Sequence, residues 1–209
     1  MTAFFSKFIT KLSEHEWTDL TKSHQFIESL LHNINTDRDL LRSELRSHSQ
    51  GERVSLALSS REPSTHFKWL IFRDPLLRFE VWLHEYKNKE LLRPGYAVVP
   101  HNHVYDFSSL ILSGGFKHIS YIVSKNSNET IKEIRVADET SFCRNMIYTL
   151  TAEAVHSLDD IQEGTTTLVV NSASTKMFSE EFNSKTGMVI RHFPLPVRAK
   201  ESYPFLDYI

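Results

Sequence analysis

Gly95-Tyr96-Ala97-Val98-Val99-Pro100-His101-Asn102-His103-Val104-Tyr105-Asp106-Phe107-Ser108, running on to Gly114-Gly115, is the stretch that decides the fold. Its β-branched and aromatic residues read as a strand. Side chains on a strand alternate between faces, so His101 and His103 point the same way. Two imidazoles on one face can reach one small cation, and neutral imidazole is a ligand for zinc, copper, iron and nickel. A bare His-x-His pair is equally at home on a polar surface or in a hydrogen-bonded interior. The rest of the chain must therefore supply a third ligand and shelter from water.

Composition narrows the classes. The chain has 209 residues and a formal net charge of -2, which suits one domain with a helical extension and gives no basic stripe for nucleic acid. Cys143 is the only cysteine, so an intrachain disulfide is excluded and a reducing cytoplasm is the expected compartment. The apolar start, Met1 to Ile9, is short, interrupted by Lys7, and lacks a small-residue cleavage site, so it is not read as a signal peptide. No stretch approaches a membrane span.

Upstream of the histidines, residues 1–50 read as an N-terminal helical extension. Leu20, Phe26, Ile27, Leu30, Leu31 and Ile34 form one apolar stripe that fits a helix packed on the domain's own sheet. Thr36 to Asp39 read as a cap, followed by a short helix carrying Leu40, Leu41 and Leu45. His15, His24, His32 and His48 lack ligand spacing and are read as surface residues. Val54-Ser55-Leu56-Ala57-Leu58 alternates like a strand. Residues 51–209 are taken as the main β domain with a docked C-terminal tail. From Phe67 onward short alternating runs are separated by turn residues at Arg73-Asp74-Pro75, Lys87-Asn88-Lys89, Gly114-Gly115, Lys125 to Asn128 and Glu163-Gly164. That texture predicts an antiparallel sandwich or barrel.

The quoted stretch resembles the first motif of the cupin superfamily: a glycine, five residues, His-x-His, an acidic ligand, then a glycine. Gly95, His101, His103 and Gly115 match it; the acidic position falls on Ser108. Asp106, the nearest carboxylate, faces away from the histidines by alternation. The second motif supplies one later histidine, and His156 matches it, with Thr151, Glu153 and Asp160 replacing the family's proline, glycine and asparagine. The resemblance covers roughly residues 67–175. It implies a mainly β fold, a cupin-type double-stranded β-helix (jelly-roll) barrel, with His101, His103 and His156 as metal ligands.

Three histidines without a carboxylate are most similar to the thiol dioxygenases, the cysteine dioxygenase-like branch, which hold ferrous iron. The resemblance implies Fe(II), with zinc, nickel or manganese as substitutes. It also implies a small-molecule substrate with O₂, and a homodimer through sheet edges or N-terminal segments. The chain departs from that branch at Ser108, where animal enzymes carry a cross-linked cysteine. It departs again at Val169, Asn171 and Ala173, where the branch has a serine, a histidine and a tyrosine. Cysteine itself is thus not the expected substrate; another small thiol, amino acid or natural-product intermediate is.

Around the ligands, Tyr105 shares the parity of His103 and lines the cavity in this reading, as does Phe107. Tyr105 and Tyr121 are the candidate proton-moving residues, with Glu153 a further acid. His118, Asn171 and Ser108 are candidates for supporting the ligands. Arg73 and Arg78 are candidates for binding a substrate carboxylate, since the guanidinium fork suits that task. Against the oxygenase stand a non-redox metal cupin, in which the cation acts as a Lewis acid, and a non-catalytic ligand-binding cupin.

Overall fold

The structure, a computed structural model, describes residues 3–17, 20–34, 49–60, 65–87 and 96–193. Among the described residues three helices come first: α1 (Ala3–Glu14), α2 (Leu20–His32) and α3 (Gln50–Ser59). Ten strands follow: β1 (His66–Arg73), β2 (Phe79–Tyr86), β3 (Phe107–Ser113), β4 (Gly115–Lys125), β5 (Ile131–Cys143), β6 (Ile147–Leu150), β7 (Val155–Asp159), β8 (Thr166–Ser172), β9 (Ser179–Asn183) and β10 (Met188–His192). Among the described helices none is long and apolar enough to cross a membrane.

The strands form two antiparallel sheets. One has the order β1-β2-β8-β3-β6. The other runs β5-β4-β7 and continues into β9 and β10, because the backbone of His101 bridges His156 of β7 on one side and Glu181 of β9 on the other. Neighbours in space are mostly not neighbours in sequence, which is the signature of a jelly roll. The fold is the double-stranded β-helix barrel that the sequence pattern implies.

Alternation sorts each strand of the first sheet. On β2, Phe79, Val81 and Leu83 face outward, while Trp82 and Tyr86 face the barrel interior. The outward set joins Leu110 and Leu112 of β3, Leu168 and Val170 of β8, and the apolar faces of α1 (Phe5, Phe8, Ile9, Leu12) and α2 (Ile27, Leu30, Leu31). α1 presents residues at i, i+3, i+4 and i+7 and α2 at i, i+3 and i+4, one stripe each. Each fully buried Leu or Phe contributes about 1.5–3 kcal/mol by leaving water. Trp17 closes the seam: its ring stacks on Phe79 at 5.0 Å and its Nε1 donates to the carbonyl of Leu12 at 3.0 Å.

Three local expectations need correction. Residues 54–58 are not a strand but the body of α3. The reason is a capping box: Ser49 Oγ accepts from the Glu52 backbone N–H at 3.3 Å, and Glu52 Oε2 accepts from the Ser49 backbone N–H at 2.8 Å. The His101–His103 segment is not regular strand either; it follows a 3-10 turn at Tyr96–Val98, and only His101 makes a β-bridge. Nor are all the N-terminal histidines surface residues. His15 stacks on Phe26 at 4.2 Å, and His24 Nδ1 lies 3.2 Å from Ser108 Oγ. The cap at Thr36–Asp39, the helix carrying Leu40, Leu41 and Leu45, His48, Gly95 and the C-terminal tail lie outside the described residues.

The turn after β3 depends on glycine. Gly114 has φ +66°, and a Cβ there would collide with Thr165, whose Oγ1 accepts the Gly115 N–H at 3.0 Å. This joint sends the chain from one sheet to the other just beyond the histidine segment.

Candidate metal centre

The centre is built where the two sheets meet. The backbones of His101 and His156 exchange both hydrogen bonds at 2.9 Å, which fixes their rings side by side with centroids 4.5 Å apart. His103 is delivered by the loop that follows, its backbone N–H donating to the carbonyl of Ala152 at 3.3 Å. Its ring stacks on Tyr105 at 5.6 Å and meets the edge of Phe107 at 5.0 Å. His103 Nε2 and His156 Nε2 are 2.9 Å apart, and one donor atom from each of the three histidines lies within 4.8 Å of the others.

The donor chemistry fits a divalent cation. His101 Nδ1 donates to the carbonyl of Val99 at 2.8 Å, so its Nε2 carries the lone pair. Burial pushes the His101 pKa down to about 4, with the Val99 hydrogen bond acting in the opposite direction. Burial also holds His103 and His156 well below the ordinary imidazole range, reinforced by the charge of neighbouring histidines and, at His103, of Lys68 and Lys176. Three neutral imidazoles thus converge in a site that resists protonation. Two nitrogens each about 2.1 Å from one metal at a right angle stand about 3 Å apart, the spacing of the His103–His156 pair.

The surrounding residues divide into those that face this cluster and those that do not. Tyr105 faces it. His118 of β4 also does: its ring stacks on His156 at 5.0 Å, and its buried Nε2 has no hydrogen-bond partner. Asn171 of β8 is buried, with a register partner, Phe107, that faces the interior. Its Nδ2 donates to the Ser172 carbonyl at 3.3 Å and its Oδ1 is unpartnered.

Four candidates lie elsewhere. Ser108 has the opposite parity, and its hydroxyl is engaged beneath α2 by His24 and by Thr149 at 2.8 Å. Tyr121 lies opposite Val155 rather than His156, with its hydroxyl 3.0 Å from Ser157 Oγ, so it turns away from the cluster. Arg73 donates from Nε to Glu80 at 2.6 Å, and Arg78 grips Asp74 in the β1–β2 turn at 2.7 and 2.9 Å. Both guanidinium groups are thus engaged by carboxylates of their own hairpin. Asp106 Oδ1 accepts from the Ala152 backbone N–H at 2.6 Å, so this carboxylate is a brace for the loop, in keeping with its parity.

Two inward-facing residues of the β1–β2 hairpin, His66 and Lys68, were not anticipated, and the alternation around His84 reads as a strand with its inward face left open. His66 and Lys68 on β1 and His84 on β2 face inward; the two imidazole centroids are 4.7 Å apart. Their signal was present as two alternating runs, His66-x-Lys68-x-Leu70 and Trp82-x-His84-x-Tyr86. Reading it required knowing which parity faces the barrel. Burial lowers the pKa of both histidines well below the ordinary value, aided by the charge of Lys68.

No protein-family model matches the chain, and no curated protein matches it. Among solved structures it is similar to KdgF from Halomonas sp. (11% identity, TM-score 0.36, covering 53% of this chain and 82% of that one). It is also similar to the Mn(II)-containing oxalate decarboxylase of Bacillus subtilis (12%, TM-score 0.37, 56% and 28%). A third is the DMSP lyase DddQ from Ruegeria pomeroyi DSS-3 (8%, TM-score 0.36, 55% and 50%). The matched part spans half or less of the last two chains. Likeness at this level carries no argument about chemistry, and the fold described above rests on strand order and register.

Proposed function

We propose that this chain is a cupin-type enzyme holding one divalent cation on His101, His103 and His156. Within that class we read it as a mononuclear non-heme iron oxygenase, oxidising a small thiol, amino acid or natural-product intermediate with O₂. The observation that carries the reading is the donor set: three neutral imidazoles converge, and Asp106, the carboxylate nearest to them in sequence, is committed to Ala152. A cation held by three neutral ligands would keep its full charge, which would favour an anionic substrate. Ferrous iron in such a site supplies the redox chemistry.

The chain's own residues do the rest. Val99 orients His101, the Tyr105 and Phe107 rings hold His103, and the His118 ring backs His156. Tyr148, whose ring meets Phe107 edge-on at 5.7 Å, has its phenol pushed up to about 12 by burial, so it carries no charge into the interior. Apolar interior walls from Trp82, Phe107 and Phe116 keep water from the reacting atoms.

A second reading keeps the same ligands with zinc, nickel or manganese as a Lewis acid. One observation favours it: the Tyr105 hydroxyl stands at the site, accepting from Lys68 Nζ at 3.3 Å, where a proton can be moved. The discriminating experiment is O₂ uptake by iron-loaded protein across a panel of small thiols and amino acids. The oxygenase predicts O₂ consumption matched to substrate loss, absent from zinc-loaded protein. Turnover of a panel compound by the zinc-, nickel- or manganese-loaded form without O₂ uptake would replace it with the Lewis-acid reading.

A further inference from the structure

The barrel interior carries a cation and a row of unpartnered polar atoms that the metal centre does not use. Lys68 stands on β1 directly opposite His84 on β2. Its ammonium donates to the Tyr105 hydroxyl at 3.3 Å and sits 5.1 Å from the Trp82 ring centroid. Aromatic faces hold a cation in place without neutralising it. Among the described residues no carboxylate pairs with it. Glu80, on the same face of β2 as His84, is already held by Arg73 at 2.6 Å and Trp82 Nε1 at 2.9 Å. An inward-facing ammonium without a counter-ion is an anion-binding group waiting for its partner.

Further atoms define what else the anion must carry. His84 Nε2, Thr167 Oγ1 and Asn171 Oδ1 are buried without a hydrogen-bond partner. His84 and Thr167 face each other across β2 and β8, and Asn171 lies on the same face of β8 two rows further on. Leaving a buried polar group unpaired costs about 1–3 kcal/mol each. The amide of Asn171 is the most informative. Its Nδ2 is committed to Ser172, so its Oδ1 demands a donor, which a bare carboxylate lacks and a hydroxyl supplies.

We propose that the wall formed by Lys68, His84, Thr167 and Asn171 is the recognition subsite for a small hydroxy-carboxylate, its carboxylate on Lys68 and its hydroxyl on Asn171. The inference deepens the metal-centre reading by naming the substrate class. It rests on that reading only in that Tyr105 joins the subsite to His103. The subsite is a property of the protein wall and is present without the cation.

The test is binding to metal-free protein, by calorimetric titration with lactate, acetate and lactamide. Lactate is expected to bind at least tenfold more tightly than either of the others, since only it offers both charge and hydroxyl. Lys68→Met keeps the stem and removes the charge; it is expected to weaken lactate at least tenfold, with Lys68→Arg recovering most of the loss. Asn171→Leu is expected to bring lactate down to the acetate level and leave acetate unchanged. Should Lys68→Met not fold, wild-type protein labelled with ¹³Cε-lysine gives the same answer: lactate must shift the Lys68 resonance. Equal binding of lactate and lactamide, an unmoved Lys68 resonance, or full lactate affinity in folded Lys68→Met overturns the proposal. Metal content measured in parallel separates the two ideas. Lys68-dependent lactate binding with no metal on the histidines sinks only the metal centre; stoichiometric metal with Lys68-independent binding sinks only the subsite.

Discussion

Burial keeps His101, His103 and His156 neutral, and this has a consequence for stability. In the unfolded chain a histidine takes up a proton near pH 6.5, whereas folded His101 does so only at about 4. Between those values the unfolded state binds more protons, so stability falls as pH drops through that window and levels off below it. His101 alone corresponds to about 3 kcal/mol across the window. His66, His84, His103 and His156 shift in the same direction. Scanning calorimetry of metal-free protein should therefore show Tm falling steeply from pH 7 to pH 4.5; a flat profile would mean these imidazoles are not buried neutral. The three histidines that the structure brings together were legible in the sequence, His101 and His103 from their spacing and His156 from its match to the second motif. The environment was not: His66 and Lys68 come from a strand whose inward parity no local pattern declares, and Ser108 turned out to face α2.

Asp106 braces the loop that carries His103 from outside the histidine cluster. Its carboxylate holds the Ala152 N–H at 2.6 Å, and the Ala152 carbonyl accepts from the backbone of His103. Asp106→Ala should weaken metal binding about ten- to a hundredfold with all three histidines in place. Competition against a chromophoric chelator reads this directly, and unchanged affinity would show the loop is held by other contacts.

At the scale of elements, the helices and the first sheet share one core. Leu31 of α2 is fully buried among residues of α1 and the outer face of the sheet. Leu31→Ala should cost about 2–5 kcal/mol, measured by urea unfolding, and should leave metal stoichiometry unchanged because the cavity opens on the far side of the sheet. A loss of metal together with stability would contradict that separation. The apolar stripe on α2 and most strands were readable from their 3.6- and 2-residue periods. Helix α3 was not, because Val54-Ser55-Leu56-Ala57-Leu58 mimics alternation; the deciding signal was the capping box from Ser49 to Glu52, outside the run itself. The histidine segment was read as strand for a similar reason: its residues have strand character, yet their hydrogen bonds go to two different strands of the second sheet through His101.

At the scale of the molecule, the barrel brings residues far apart in sequence to one point. The first sheet contributes the polar wall of Lys68, His84 and Asn171; the second contributes His156 and, through the His101 bridge, the joint between β7 and β9. The interior between them is where a metal and a substrate would meet. The central claim is that His101, His103 and His156 hold one metal ion. It is tested most directly by metal analysis of protein purified anaerobically, with His101→Ala and His156→Ala beside wild type. The account predicts close to one metal per chain in wild type, iron in the oxygenase reading, and loss in both variants. No metal in wild type, or a content unaffected by both changes, would contradict it.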